Sequence, residues 1–394
     1  MDLKFGPKEE ELRQEVRTFL LQNIPQREAS KDARTDDSAF KAAREFNRKL
    51  GEKGWIAPAW PKEYGGLGAT IYEQMVFNEE FGYYGAPDTG TRGFGVGMIG
   101  PTLIIHGNDE QKAEHLPRIN SGEAIWCQGY SEPGAGSDLA SLQTRATRDG
   151  DDYIVNGQKI WTSGGHRANW MFLLARTDPD APKHRGISFF LLDIKNTPGV
   201  TVRPLINMHN RHHFNEVFFE DVRIPRRNLV GEENRGWYVG MTLLDFERSG
   251  IGNAVGVRKQ LERLLGYVET ERSKLTFDTR TSLRAEFADR WVEAHVARWL
   301  SYRVISMQAS GQIPNHEASM TKMFMSEMQQ RIAALALHMA GMRGMIADRD
   351  SKYAVLGGNT GNRYVGAVSS TIAGGTSEIQ RNVIATRGLG LPRG

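Results

Sequence analysis

With 394 residues, the chain is too long for one small core and asks for two or three packed domains or subdomains. Apolar residues make up 39% and charged residues 25%, the mix of a folded globular protein, and a net charge of +3 supplies no strong field for nucleic acid. The single cysteine, Cys127, excludes an intrachain disulfide and a cysteine-rich metal site; it is expected as a small buried residue in a strand, in a protein of the reducing cytoplasm.

The first residues, MDLKFGPKEEELRQEV, carry charge throughout, without the apolar core of a signal peptide or the composition of a transit peptide. No apolar run approaches the length of a membrane span. Apolar residues at helical spacing predict helices over Glu9–Leu21, Phe40–Trp55 and Ile71–Gly82, with the Pro- and Gly-rich loop Pro58–Gly68 between them.

From Ala124 to about Leu229 the pattern changes to short runs rich in β-branched and aromatic residues. AIWCQGYS, DYIVNG, KIWTSG, WMFLLAR, ISFFLLDI, GVTVRPL and NEVFFEDVRIP read as strands separated by turn residues. Few helical stretches intervene, which favours an antiparallel sheet over a parallel α/β one. From Gly236 long helices return: Trp237–Thr270, Ser282–Ser310, Asn315–Met342 and a final stretch after Asp348, together a helical bundle. The expected organisation is α+β in three domains: helices over residues 1–123, β structure over 124–235 and a helical bundle over 236–394.

The densest chemical signal is GYSEPGAGSD, Gly129–Asp138. Gly134 and Gly136 let backbone approach a ligand, Ser131 and Ser137 add hydroxyls, and consecutive N–H groups in such a turn bind anions; a plain tight turn uses the same residues. About twenty residues on, NGQKIWTS (Asn156–Ser163) reads as a strand carrying a tryptophan beside Thr162 and Ser163. That surface suits a flat heteroaromatic ring, and a strand tryptophan also suits a core.

These two segments, with FEDVRIPRRNLVGEENRGW and AGGTSEIQRNVIATRGLGLPR, resemble the signature of the acyl-CoA dehydrogenase family, in order and over essentially the whole chain. The resemblance implies a helical N-terminal domain, a middle β domain, a C-terminal four-helix bundle and bound FAD. It implies that Gln128, Gly129, Tyr130, Ser131 and Gly136 line the flavin, and that Ser137 also touches the pantetheine of an acyl-CoA substrate. It implies further that Trp161 packs on the isoalloxazine ring with Thr162 and Ser163 beside it, and that Thr376 and Glu378 contact FAD. An electron-transfer flavoprotein is the implied partner.

Two positions depart from the commonest pattern. Many family members carry the catalytic glutamate just before the GT of the C-terminal motif, where this chain has Gly374. A minority carry it on the first long helix of the C-terminal domain, and there this chain reads Leu244-Asp245-Phe246-Glu247-Arg248. On a helix, Glu247 has Leu243, Leu244, Gly250 and Ile251 three and four positions away, an apolar face on which a carboxylate is costly unless it is paired or functional. Glu247 is therefore expected as the general base, its pKa raised by desolvation. Gly374 keeps the backbone N–H implied to hold the thioester oxygen, and Asp245 and Arg248 match positions that line the CoA tail.

The second departure lies in the segments through which homotetrameric members hold a neighbour's FAD. The Arg-x-x-Phe-Gly segment reads Arg272-Ser273-Lys274-Leu275 here, and the Gln-x-x-Gly-Gly segment reads His338-Met339-Ala340-Gly341-Met342. A homo-oligomer with substitute contacts and a heterotetramer with a related subunit both fit. Oxidase chemistry and a non-catalytic binding role are the competing functions; the retained Glu247, Ser137 and flavin-facing motifs favour the dehydrogenase.

Three further signals are weaker. Gly95–Gly100 matches G-x-G-x-x-G but no strand precedes it, so it reads as a flexible or closely packed helix. His209, His212 and His213 read as a solvated loop between strands rather than a metal site. Tyr83 and Tyr84 suit a pocket lining and helix-end packing equally.

Overall fold

The computed structural model describes residues 5–25, 37–208, 210–245, 251–271, 280–348 and 350–392. In chain order the regular elements are α1 (Pro7–Asn23), α2 (Asp37–Glu52), α3 (Ile71–Tyr84), α4 (Gly100–His106), α5 (Asp109–Asn120), β1 (Trp126–Gly129), β2 (Arg145–Asp149), β3 (Asp152–Lys159), β4 (Trp170–Arg176), β5 (Ile187–Asp193), β6 (Val200–Ile206), β7 (His212–Pro225), β8 (Leu229–Val230), α6 (Gly236–Asp245), α7 (Ile251–Glu271), α8 (Arg280–Ala309), α9 (His316–Ala340), α10 (Asn359–Ser370) and α11 (Ser377–Val383). They group into two compact units. One gathers Met1–Ile24, Thr70–Ala86 and Arg248–Gly394; the other gathers Pro25–Ala69 and Pro87–Glu247.

The second unit is built on an eight-stranded sheet in the order β6-β7-β3-β2-β4-β5-β8, with β1 beside β4. Most neighbours are antiparallel, as expected, but β1 and β2 both pair with β4 in parallel, so the sheet is mixed. β4 and β5 are buried almost throughout. Trp170, Phe172 and Leu174 pack with Phe189 and Leu191 on one face, while Met171, Leu173 and Ala175 pack with Phe190 and Leu192 on the other. A strand covered on both faces is apolar except where a buried polar group is hydrogen-bonded, which explains the near-continuous runs WMFLL and FFLL and the bonded Arg176 and Ser188 at their ends. Cys127 is fully buried in β1.

Helices cover the first of these faces. Asn108 and Gln111 form a reciprocal cap at the start of α5, and the Gln111 amide also donates to the carbonyls of Arg227 and Leu229, fixing the helix to the entry of β8. Residues 95–100 are not a dinucleotide turn: they span a wide helical turn over Thr91–Ile99 and the start of α4, and Ile99 and Gly100 are buried.

In the first unit, α3, α7, α8 and α9 share a core that includes Met75, Leu261, Leu264, Ala297, Ile305, Met328 and Leu335. A reciprocal cap between Thr70 and Glu73 starts α3. The helix meets α7 at Gly82, where an added Cβ would lie 2.2 Å from the Gly252 carbonyl oxygen, so only glycine permits this approach. Of the helix expected over Trp237–Thr270, the described residues form α6 up to Asp245 and α7 from Ile251; residues 246–250 lie outside the described residues.

Two buried carboxylates of α3 anchor the neighbouring helices. Glu80 receives Arg13 and Arg17 of α1, at 2.9 and 3.1 Å. Glu79 receives Arg298 at 3.0 Å and the Tyr302 hydroxyl at 2.6 Å from α8, and Arg13 lies 2.9 Å from its other oxygen. Tyr83, left open between two readings, donates its hydroxyl to Glu262 of α7 at 2.7 Å. Removing one member of a buried charge cluster leaves the others unpaired, so Glu79→Ala is expected to cost about 3 kcal/mol, read as a lower midpoint in urea unfolding.

Candidate active site

GYSEPGAGSD leaves β1 as a two-residue turn. Glu132 and Ala135 exchange both backbone hydrogen bonds at 3.0 Å around Pro133 and Gly134. Gln128 is half-buried at the end of β1, opposite Phe172, and Gly129 is buried. Gly136 and Ser137 are exposed, and an added Cβ at Gly134 or Gly136 would meet no atom within 4 Å. The turn thus offers an open, small-residue face.

The Tyr130 side chain is buried. Its ring stands edge-on to Phe172 and Phe189 in the core, and its buried hydroxyl has no hydrogen-bond partner among the described residues. Its backbone is what remains toward the turn.

The strand expected over KIWTSG ends at Lys159. Trp161 follows in the left-handed region, φ 61°, with its side chain 56% exposed and its ring edge-on to Phe214 at 5.7 Å. A bulky residue at positive φ is strained and persists only where its surroundings hold it. They do so on both sides. The Ile160 N–H donates to the Ser131 carbonyl at 2.9 Å, and Thr162 and Asn215 exchange backbone hydrogen bonds at 3.0 and 3.1 Å. The fully buried Asn215 amide also donates to the Thr162 carbonyl at 2.9 Å. Thr162 is buried, and its hydroxyl has no partner among the described residues.

A buried ion pair joins the turn to β3. Lys159 has no solvent exposure; its ammonium donates to Glu132 at 2.8 Å and to the Tyr130 carbonyl at 3.0 Å. Glu132 also accepts from the backbone N–H groups of Gln143 and Thr144. Burial brings Lys159 down to about 8 against the pull of Glu132. Burial acts to raise Glu132, but the charge of Lys159 and the hydrogen bonds together hold it below its ordinary 4.5. Both groups are charged at neutral pH. Sequence reading passed over Lys159, Glu132 and Asn215, although a signal existed: Lys159 continues the alternation of the buried Tyr153 and Val155, so its charge falls on the core face.

The structure thus brings residues 128–137 and 161–163 together in one unit. Gly374, Thr376 and Glu378 stand in the other. Gly374 has φ 65° and Gly375 φ 86°. Thr376 caps α11 by accepting the Ile379 N–H, and Glu378 is exposed in its first turn. Glu378 is held below its usual range by hydrogen bonds at the start of the helix. Asp245 ends α6; Glu247, Arg248, Arg272–Leu275 and His209 lie outside the described residues.

His212 and His213 do not form a solvated loop, because they begin β7. His212 stacks on His166 at 3.9 Å and bonds Asn215 at 2.7 Å. Among the described residues no group of three His, Cys, Asp or Glu could hold a metal ion, and no helix is long and apolar enough to cross a membrane.

Lys159→Met would leave Glu132 buried without its charge partner, and a loss of about 3–5 kcal/mol is expected. In the parent, the depressed Glu132 contributes stability that is present above pH 4.5 and lost as pH falls through its folded pKa. In the variant that pKa is expected above the unfolded value, so protonation relieves the site. The stability deficit should therefore narrow as pH falls below neutral, in thermal melts of both proteins across pH.

Comparison with known proteins agrees with this layout. Models of the acyl-CoA dehydrogenase N-terminal, middle and C-terminal domains match residues 6–123, 127–222 and 234–389. Acyl-CoA dehydrogenase IpdE1 of Mycobacterium tuberculosis is 36% identical over 390 residues, covering 98% of each chain. Among solved structures, the Tcur3481-Tcur3483 steroid ACAD is 32% identical with a TM-score of 0.86, covering 100% of each chain. The ChsE4-ChsE5 complex from Mycobacterium tuberculosis is also 32% identical, with a TM-score of 0.82 and the same coverage. The chain belongs to the acyl-CoA dehydrogenase family of flavin-dependent oxidoreductases.

Proposed function

We propose that the chain catalyses α,β-dehydrogenation of an acyl-CoA thioester to the trans-2-enoyl-CoA, with FAD as cofactor and electrons passed on to an electron-transfer flavoprotein. The observation that carries this reading is the hydrogen bond from Ile160 to Ser131, which sets the small-residue turn beside the exposed Trp161.

The residues present fit a flavin. Trp161 offers a flat aromatic face held by its surroundings, Thr162 a buried hydroxyl without a partner among the described residues, and Gly134 and Gly136 open backbone. Gln128, Gly129, the Tyr130 backbone, Ser131, Gly136 and Trp161–Ser163 would hold FAD, with Thr376 and Glu378. FAD, when bound, accepts the β hydrogen as hydride.

The chain's own work is on the α proton. Glu247 takes that proton with its carboxylate, and the Gly374 N–H donates to the thioester oxygen as negative charge develops there. Ser137, Asp245 and Arg248 hold the CoA portion. A fatty acyl group and a steroid side chain both suit the chemistry, and the likeness to a steroid ACAD supports the latter.

The same likeness, and that to the ChsE4-ChsE5 complex, supports a heterotetramer with a related subunit. Where a neighbour's FAD would be held, His338 and Met342 are both exposed at the end of α9. Co-expression with a related chain is expected to raise FAD content per catalytic chain above that of the chain purified alone. A homo-oligomer with one tightly held FAD per chain would overturn the pairing.

Glu247→Gln is expected to keep FAD and bind acyl-CoA while turnover falls by about 10²–10⁴-fold. Dye-linked turnover on a panel of fatty and steroid acyl-CoA thioesters checks this, and near-parent turnover would refute the assignment.

A further inference from the structure

The first unit contains a closed loop between α10 and α11. Its neck is the Ser377 N–H donating to the Thr371 carbonyl at 3.0 Å. Inside it, Gly374 and Gly375 are both left-handed, which turns their carbonyls to one side. The Gly375 carbonyl accepts from Lys322 at 2.6 Å, and the Gly374 carbonyl accepts from the Gln380 amide at 3.0 Å. The N–H groups of Gly374, Gly375 and Thr376 donate to no other group among the described residues.

The loop's supports come largely from one face of α9. Lys322, Ser326 and Gln330 are spaced four apart and form a polar stripe along that helix. Lys322 also donates to the Ser370 carbonyl at 3.2 Å, and the Ser326 carbonyl accepts the Ser370 hydroxyl at 3.0 Å. The Gln330 amide donates to the Thr371 hydroxyl at 2.9 Å. The Lys322 and Gln330 side chains, with the Ser326 carbonyl between them, thus hold the end of α10 and the loop beyond it. Of these three α9 residues, Lys322 is the one that reaches into the two-glycine turn, where the Gln380 amide meets it. An apolar side chain there would leave the Gly375 carbonyl with only the long bond from the Gln380 amide at 3.4 Å, and that carbonyl turns only by turning its peptide plane.

We propose that Lys322 is a positioning residue for the reaction: it holds the Gly374–Gly375 loop in the conformation that leaves its N–H groups free to receive the thioester oxygen. This rests on the reading of Gly374 as that oxygen's donor. Lys322 touches neither substrate nor cofactor in this role. Its ammonium fixes the Gly375–Thr376 peptide plane, and together with the Gln380 amide on the Gly374 carbonyl and the Ser377–Thr371 neck this holds Gly374 at its left-handed φ and so sets the direction of the Gly374 N–H.

The test uses FAD-loaded parent, Lys322→Met and Lys322→Arg, with octanoyl-CoA, isovaleryl-CoA and a steroid C-17 side-chain CoA thioester as probes. Displacing a reacting group by a fraction of an ångström costs rate rather than binding, so Lys322→Met should lower kcat per bound FAD by about 30-fold with KM changed by less than about threefold. Lys322→Arg should recover most of that rate, since it keeps a donor to the same carbonyls. Without activity, amide hydrogen exchange at Ser377 should quicken by at least about tenfold in Lys322→Met, as the neck loosens. Parent-like kcat in Lys322→Met, a rate loss that follows FAD loss, or equal loss in Lys322→Arg would overturn the role. If the FAD-loaded parent turns over none of the probes, the functional reading fails first and this proposal falls with it; turnover by the parent with an indifferent Lys322→Met sinks the proposal alone.

Discussion

A lysine with no solvent exposure needs a carboxylate beside it to stay charged, and the turn after β1 and the end of β3 are organised around that requirement. Lys159 closes β3 and reaches back to Glu132 and to the Tyr130 carbonyl, so the turn after β1 is fixed to the strand whose end carries Trp161. Glu132 in turn accepts from Gln143 and Thr144 just before β2. One ion pair therefore ties three segments that are distant in sequence. A neutral pair could pack there, but it would not supply four convergent hydrogen bonds at a turn of small residues. The specificity of that arrangement is what permits Ser131 and Trp161 to be neighbours.

The strands most readily seen in the sequence are those whose residues answer to a single constraint. WMFLLAR and ISFFLLDI are covered on both faces along their apolar stretches, so composition alone identifies them. Helices α8 and α9 are long enough for periodicity to define them within two residues. The misreadings fall where a local pattern serves two masters. KIWTSG has the composition of a strand, yet Asn215 and Ser131 take up the backbone bonds of Ile160–Thr162 after β3 has ended, and Trp161 turns left-handed between them. β2, RATRD, has one buried residue in five and no apolar run to announce it. Parallel pairing of β1 with β4 depends on which strand lies next to which, and no periodicity encodes that. His212 and His213 looked like a loop because they are polar, but they sit at the start of a long strand whose later half carries the apolar residues.

The candidate site divides in the same way. Its glycines, serines and tryptophan were visible as unusual residue types at close spacing. Its supports were not, because Lys159, Glu132 and Asn215 are ordinary polar residues until burial is known. Gly374 illustrates the difference between identity and conformation. The absence of a side chain there is plain from the sequence, but its φ of 65° is not. The space around it is open, with the Lys322 side chain 4.0 Å from where a Cβ would lie, so crowding does not exclude a glutamate. Backbone conformation weighs more heavily, because a residue with a Cβ pays about 1–2 kcal/mol to adopt the left-handed region that glycine enters freely. With Glu247 as the proposed base, a side chain at this position would bring that cost without a catalytic role.

The two loops proposed to meet the reacting groups share one physical design. Each puts backbone into a left-handed conformation at the point of use, at Trp161 in one unit and at Gly374 and Gly375 in the other. Each is restrained by a lysine donating to carbonyls near the loop, and each has an amide side chain completing the set: Lys159 with Asn215, and Lys322 with Gln380. The lysines come from regular elements, β3 and α9, whose own hydrogen bonds do not depend on the loop. A carbonyl captured in this way commits its whole peptide plane, because the peptide is rigid, and the N–H groups on the opposite side are then fixed without touching anything themselves. Donors so arranged require no rearrangement when charge appears before them, which is the condition under which a hydrogen bond lowers a barrier rather than only tightening binding.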